Sequence, residues 1–300
     1  MRKFRWIFSM FMVAMLLLCA CQPVVAPGSM AVEEAAAAES TSTDSVLAVK
    51  FYTSEGAHER FGMVDLATGM GTDVGAYTNT EVNILRTEWA AANGSLYDGA
   101  YYTILNKRLP SDATPAEAEA RLARVDIQTG EAELLGAVIP LNLMGNEINY
   151  CGEMFATGFT LSNQLGEWFG DTNLYQVNRA DGSLTLIGDT GIERIMDLSF
   201  DPNGTLWGTV GNVLYTLDLE TGAATERVKI TGVEDDNEIM GIGFTSDGQL
   251  YATTPFSDGF YTVDLETGAV TEIGRHGFTI PHGGDIPMTP RNVNCEAAGN

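Results

Sequence analysis

The chain predicts an all-β fold: a five-bladed β-propeller closed by a C-terminal strand that completes the first blade. Two observations lead there. A hairpin unit recurs five times, as FGMVDLATGMGTDVG (61–75), LARVDIQTGEAELLG (122–136), LYQVNRADGSLTLIG (174–188), VLYTLDLETGAATERVKI (213–230) and FYTVDLETGAVTEIG (260–274). A second hairpin precedes these units, clearest in IMDLSFDPNGTLW (195–207) and IMGIGFTSDGQLY (239–251). Four strands repeated about every 40–60 residues match the period of propeller blades.

Each unit reads as a hairpin for local reasons. In LYTLDLETG, Leu214, Thr216 and Asp218 share one face of an extended chain, and Tyr215, Leu217 and Leu219 the other. That alternation marks a half-buried strand. The turn needs a positive φ, which Gly222 adopts without a Cβ clash. Asp218 can accept hydrogen bonds from the turn amides. Gly69, Gly130, Gly182 and Gly268 repeat the role of Gly222, with Asp65, Asp126, Asn178 and Asp264 as the anchoring residues.

The remaining strands follow by alignment. ILRTEWAAANGSLY (84–97) is a first hairpin turning at Asn93-Gly94, and LMGNEINYCGEMF (143–155) is a degenerate copy. VLAVKFYT (46–53) has no strand before it, so it enters as the second strand of the first blade. The missing partner is assigned to 284–290, with Gly284–Pro290 set against Met196–Pro202. Such closure leaves no open edge. Thr114-Pro115-Ala116-Glu117 fits a capping box and predicts one or two helical turns.

The first 20 residues stand apart. Arg2, Lys3 and Arg5 precede the uncharged apolar run Trp6–Ala20, the pattern of a secretory signal. Leu18-Cys19-Ala20-Cys21 resembles a bacterial lipobox, with Cys21 as the lipidated first residue of the mature chain. Residues 22–45 are rich in Ala, Ser, Thr and Glu and read as a disordered tether. The propeller then occupies 46–295, with 296–300 as a tail. This predicts an exported, lipid-anchored, monomeric protein of the bacterial cell envelope.

Charge narrows the partners. The chain has 16 basic and 40 acidic residues, a net charge of −24. Loss of the leader, with its three cations, makes it about −27. Such a surface repels nucleic acid and anionic lipid, so membrane contact is expected through the lipid alone. Beyond Cys21, Cys151 and Cys295 remain. Both map to the face of the short turns, and export permits a disulfide between them. Two separate thiols are the other reading.

Strand alternation divides the propeller into a face of short turns and a face of long loops, where function tends to concentrate. The tether joins on the short-turn face, which turns the loop face outward. Trp168 and Phe169 in SNQLGEWFGDTN, together with His58, His276 and His282, are the binding candidates on that loop face. The alignment places Thr87, Gly145, Asp197, Gly241 and Asp285 at equivalent positions near the axis. Asp197, Asp285 and Glu147 are therefore the candidates for cation binding or acid–base chemistry, the alternative being that the carboxylates cap backbone amides. No cofactor is predicted, calcium being the one ion the acidic residues suggest. No EF-hand loop, GxSxG, HExxH or phosphate-cradling glycine loop occurs.

The units LYTLDLETG, FYTVDLETG and DLSFDPNGTLWG resemble the repeats of bacterial exported β-propellers in the YVTN and quinoprotein-like group. The resemblance spans about 46–290 and implies the fold and an exported address. It implies no quinone, because tryptophan-rich docking repeats are absent and only Trp89, Trp168 and Trp207 follow the leader. The function expected is a binding or scaffold module for an envelope protein or glycan. The alternative is a polysaccharide hydrolase or lyase using the axial carboxylates.

Overall fold

The structure is a computed structural model that describes residues 46–52, 59–84, 88–109, 115–159, 171–234 and 238–287. Its strands form five four-stranded antiparallel sheets. One contains β1 (Val46–Tyr52), β2 (Glu59–Asp65) and β3 (Gly71–Ala76). The next contains β4 (Trp89–Tyr97), β5 (Ala100–Lys107), β6 (Ala120–Asp126) and β7 (Ala132–Ile139). A third has β8 (Asn142–Ile148), β9 (Met154–Phe159), β10 (Asp171–Val177) and β11 (Leu184–Glu193). A fourth has β12 (Asp197–Phe200), β13 (Leu206–Val210), β14 (Val213–Leu217) and β15 (Ala224–Lys229). The fifth has β16 (Gly241–Phe244), β17 (Leu250–Thr253), β18 (Gly259–Val263) and β19 (Val270–Arg275). The last strand, β20 (Thr279–Asp285), returns to the first sheet and lies antiparallel to β1.

Burial grades across each sheet. β12 and β16 are buried along their whole length, whereas β15 and β19 alternate between partly and fully exposed residues. Between consecutive sheets lies an apolar layer. Phe61, Tyr101 and Val125 fill one, and Ile104, Leu122, Leu143 and Met154 the next. Phe155, Leu198 and Phe200 form a third, and Leu214, Ile242, Phe244 and Tyr261 a fourth. A fifth joins Phe260 to Val64 and Ile286, so the last sheet packs on the first. The strands β4, β8, β12, β16 and β20 touch in that order, and β20 also touches β4. Sheets packed face to face around a ring of inner strands make an all-β propeller.

The recurrent turns are built from local hydrogen bonds. In the fourth sheet Asp218 Oδ1 accepts from Glu220 N at 2.9 Å and Thr221 N at 2.8 Å, while Gly222 N donates to Asp218 O at 2.8 Å. Asp65, Asp126 and Asp264 accept from turn amides in the same way, and Asn178 accepts from Ala180 N. Gly222 has φ +80°, and a Cβ there would lie 2.6 Å from Gly188 O of the preceding sheet. The glycine therefore bends the chain and also brings two sheets together. Gly188, at the end of LTLIG, meets Thr221 O from the other side. Gly69 and Gly274 form the same seam between the first and fifth sheets.

Three local expectations change. Asn93-Gly94 is not the turn of the second sheet. It lies inside β4 at a register shift between Ala91 and Gly94, and the hairpin closes at Asp98-Gly99, both with positive φ. An Asp-Gly pair suits the two-residue hairpin turn equally well, and here it, rather than Asn93-Gly94, makes the turn. The predicted helix before β6 shrinks to a single 3-10 turn, Pro115–Glu117. The alignment of the closing strand is also displaced, as the axis shows below.

Candidate functional site

The inner edge strands leave backbone N–H groups facing the axis, and these need acceptors. Side chains of the neighbouring inner strand supply them. Ser95 Oγ accepts from Ile148 N at 3.0 Å, and Ser199 Oγ from Phe244 N at 3.2 Å. Asp197 Oδ2 accepts from Ile242 N at 2.8 Å. Asp285 Oδ2 accepts from Leu96 N and, at 3.2 Å, from Ser95 Oγ.

This pattern sets the true levels. Ser95, Ser199 and Asp285 each cap the corresponding amide of the next strand, so they share one layer, with Glu147 and Gly243 at the matching positions. Asp197 lies two residues earlier, level with Asn93, Gly145, Gly241 and Gly283. A Cβ on Gly145 would meet Asp197, and one on Gly283 would meet Asn93. Asp197 and Asp285 are therefore not equivalent positions, and Gly283 rather than Asp285 is the counterpart of Asp197. The two register shifts between β1 and β20 move the closing strand out of step with its repeat. Thr87 lies outside the described residues.

The axial acids are buried: Asp197 is 0% exposed, Glu147 and Asp285 2% each. Burial pushes all three carboxyls up. For Glu147 the charges of Asp285 and Asp197 add to that push. Asp285 is raised to about 6, with hydrogen bonds from Leu96 N, Ser95, Ile286 N and Glu147 working against its burial. Glu147 and Asp285 come from the two inner strands that flank β4, and Ser95 of β4 donates to Asp285 at 3.2 Å. The second oxygen, Glu147 Oε2, is buried with no hydrogen-bond partner.

Glu147 and Asp285 line a recess of about 30 Å³ with Leu96, Tyr97, Ile148 and Ile286. That is the volume share of about one water molecule. It lies where β4 and β8 end, on the short-turn face. Asp197 does not line it. Of the three acids expected together, the structure joins Glu147 to Asp285 and leaves Asp197 one layer away as an amide cap.

Cys151 follows β8 on that same face and is disulfide-bonded. Its partner lies outside the described residues, as do Cys295, Cys21, His58, Trp168 and Phe169.

The loop face carries a second feature. Pro255–Asp258, between β17 and β18, and Gly277–Thr279, before β20, enclose a groove of about 470 Å³. Phe256 stands 73% exposed on its rim. Arg275 orders this edge by pairing with Glu234 at 2.6 Å, Glu272 at 2.8 Å and Asp258 at 3.1 Å. Phe278 stacks on His276 at 5.4 Å.

His276 departs from expectation. Read as a surface-loop residue, it is 4% exposed, and burial depresses it to about 4. Its Nδ1 accepts from Phe278 N at 3.0 Å, so it braces the loop. His282 sits within β20, its backbone opposite Lys50. No cluster of three or more His, Cys, Asp or Glu side chains suited to a metal occurs among the described residues. No described helix is long and apolar enough to cross a membrane.

No protein family and no curated protein matches the chain. Solved structures do. The crystal structure of a nidogen/laminin complex matches at 12% identity and TM-score 0.47, covering 76% of each chain. A calcium-binding protein, regucalcin, from Agrobacterium tumefaciens matches at 15% identity and TM-score 0.42, covering 80% of this chain and 77% of that one. Streptogramin B lyase matches at 12% identity and TM-score 0.40, covering 81% and 74%. Likenesses this distant carry nothing about ligand or activity.

Proposed function

We propose that the chain is an exported, lipid-anchored, five-bladed propeller, closed by β20, that acts as a monomeric binding or scaffold module through its loop face. The supporting observation is the exposed Phe256 over its groove. A bulky aromatic held in water by an ordered loop is the kind of residue that interfaces use as an anchor. The partner class is an envelope protein or glycan. The strong acidity of the chain disfavours nucleic acid. A catalytic use of the axial acids has less support, because their recess has room for about one water and not for a sugar ring.

The address rests on Cys21 as the lipidated residue. Mass spectrometry should find the mature N-terminus diacylated or triacylated there, and Cys21→Ala should release the protein from the membrane fraction. An unlipidated, membrane-free wild type would overturn this. The Cys151 disulfide fits an oxidising compartment, and we assign its partner as Cys295. Non-reducing peptide mapping tests the pair directly.

For the loop face, the full chain is tested against solubilised envelope proteins and an oligosaccharide array. Phe256→Ala should weaken capture about tenfold, equivalent to roughly 1.4 kcal/mol, without lowering the melting temperature. Trp168→Ala and Phe169→Ala should do the same if the insertion between β9 and β10 shares the surface. Unchanged capture in all three variants would rule the loop face out.

A further inference from the structure

The recess at the opposite end of the axis holds oxygen atoms without a stated use. We propose that it binds one hard divalent cation of calcium size, held by the carboxyl groups of Glu147 and Asp285 beside the Ser95 hydroxyl. This is independent of the loop-face reading, since the recess opens among the short turns.

Four observations converge. The two carboxyls come from different inner strands, β8 and β20, and line one recess, with Ser95 of β4 donating to Asp285 at 3.2 Å. Glu147 Oε2 is buried and has no hydrogen-bond partner, and Glu147 is on the wall of the recess. The space of about 30 Å³ suits a single ion or water. Finally, both side chains are 2% exposed, and neither forms a salt bridge to a basic side chain among the described residues. Negative charge buried without a counter-charge is costly. Either a proton or a cation must offset it.

The ligand atoms select the ion. They are carboxylate and hydroxyl oxygens, which favour hard cations over zinc or copper. Magnesium keeps several waters in a strict octahedron, whereas calcium tolerates irregular oxygen sets. A space of one water's volume therefore favours calcium. Bound there, the ion would sit between the carboxyl groups of Glu147 and Asp285. It would tie the closing strand β20 to β8.

The test is calorimetric titration of calcium chloride into the full-length chain, purified in detergent and stripped with chelator, at pH 7.5. One calcium per chain is expected, with a rise in melting temperature that equal magnesium does not reproduce. Glu147→Gln and Asp285→Asn, each matching the protonated shape, should weaken binding at least tenfold. Asp197→Asn, one layer away, should stay within about threefold. The proposal is overturned by any of three results: no saturable calcium binding by the wild type, no loss in either recess variant, or an equal loss in Asp197→Asn. Because the wild-type thermal shift stands alone as a readout, a variant that fails to fold does not rescue the idea.

Discussion

Aspartates at the rim and at the axis of this propeller have the same chemistry and opposite fates. At the rim, Asp126, Asp218 and Asp264 sit in open turns, and hydrogen bonds from the turn backbone amides hold their carboxyls below the usual range. At the axis, Asp197 and Asp285 also accept backbone amides, yet burial wins and both are raised. The amide bonds are similar in length: 2.8 Å at Thr221 N and 2.8 Å at Ile242 N. The difference is water. Desolvation of a carboxylate outweighs one or two good hydrogen bonds once the group leaves solvent. One motif therefore gives a fixed negative rim, and the other an axis that must take up protons or a cation.

The comparison can be broken most forcibly at the edge of the axial recess. Reducing the Cys151 disulfide should cost about 4–5 kcal/mol for a loop closed to Cys295, seen as a lower urea midpoint. A loss well under 1 kcal/mol would mean that the bridge closes a much shorter loop or strains the fold. Next comes the seam between sheets. Gly222→Ala puts a Cβ at φ +80° and against Gly188 O, and should cost roughly 2–3 kcal/mol. The third test sets the two kinds of aspartate side by side. Asp197→Ala leaves Ile242 N without its acceptor in a dry site and should cost about 2 kcal/mol. Asp218→Ala should cost less, because water replaces the lost acceptor. Equal losses would erase the distinction between rim and axis.

The smallest effect is on pH dependence, measured in chelator. Asp285 titrates higher folded than unfolded, near 6 against 3.8, so the folded state binds more protons. Its stabilisation is full below 3.8 and is lost as pH rises through 6. His276 is depressed from 6.5 to about 4, so its share is lost as pH falls through that window. Glu147 and Asp197, also raised by burial, act in the same direction as Asp285, and His276 opposes them between pH 4 and 6.5, so wild-type stability should fall as pH rises. Asp285→Asn should make that fall shallower, and His276→Gln should make it steeper. Parallel slopes in both variants would contradict these assignments.

What was readable in the sequence follows the same division. The turns were legible because Asp218 and Gly222 bond to each other within five residues. The repeat then exposed the four-stranded sheets. The axis was not legible, because Asp285 caps an amide 189 residues away, and no local pattern encodes that partner. The shifts in β4 and between β1 and β20 defeated an alignment that assumed identical strands. Asn93-Gly94 carried a true turn signal, but the chain spends it on an irregularity within the strand. Asn93 reaches across the axis there, donating to Met196 O and, at 3.4 Å, to Met240 O. Phe256 was missed for another reason. The long insertions carry the stronger loop signal and TPFSDG is short, although an aromatic set among Pro, Ser, Asp and Gly is itself a signal.

The most direct test of the contrast between rim and axis is carboxyl carbon NMR of the chelator-treated protein across pH 2–8. Asp218 and Asp264 should titrate below 3.8, while Asp285 titrates near 6 and Glu147 and Asp197 well above the ordinary carboxylate range. If the axial carboxyls instead ionise between 3 and 4.5 with the rest, the axis is not the desolvated acid cluster described.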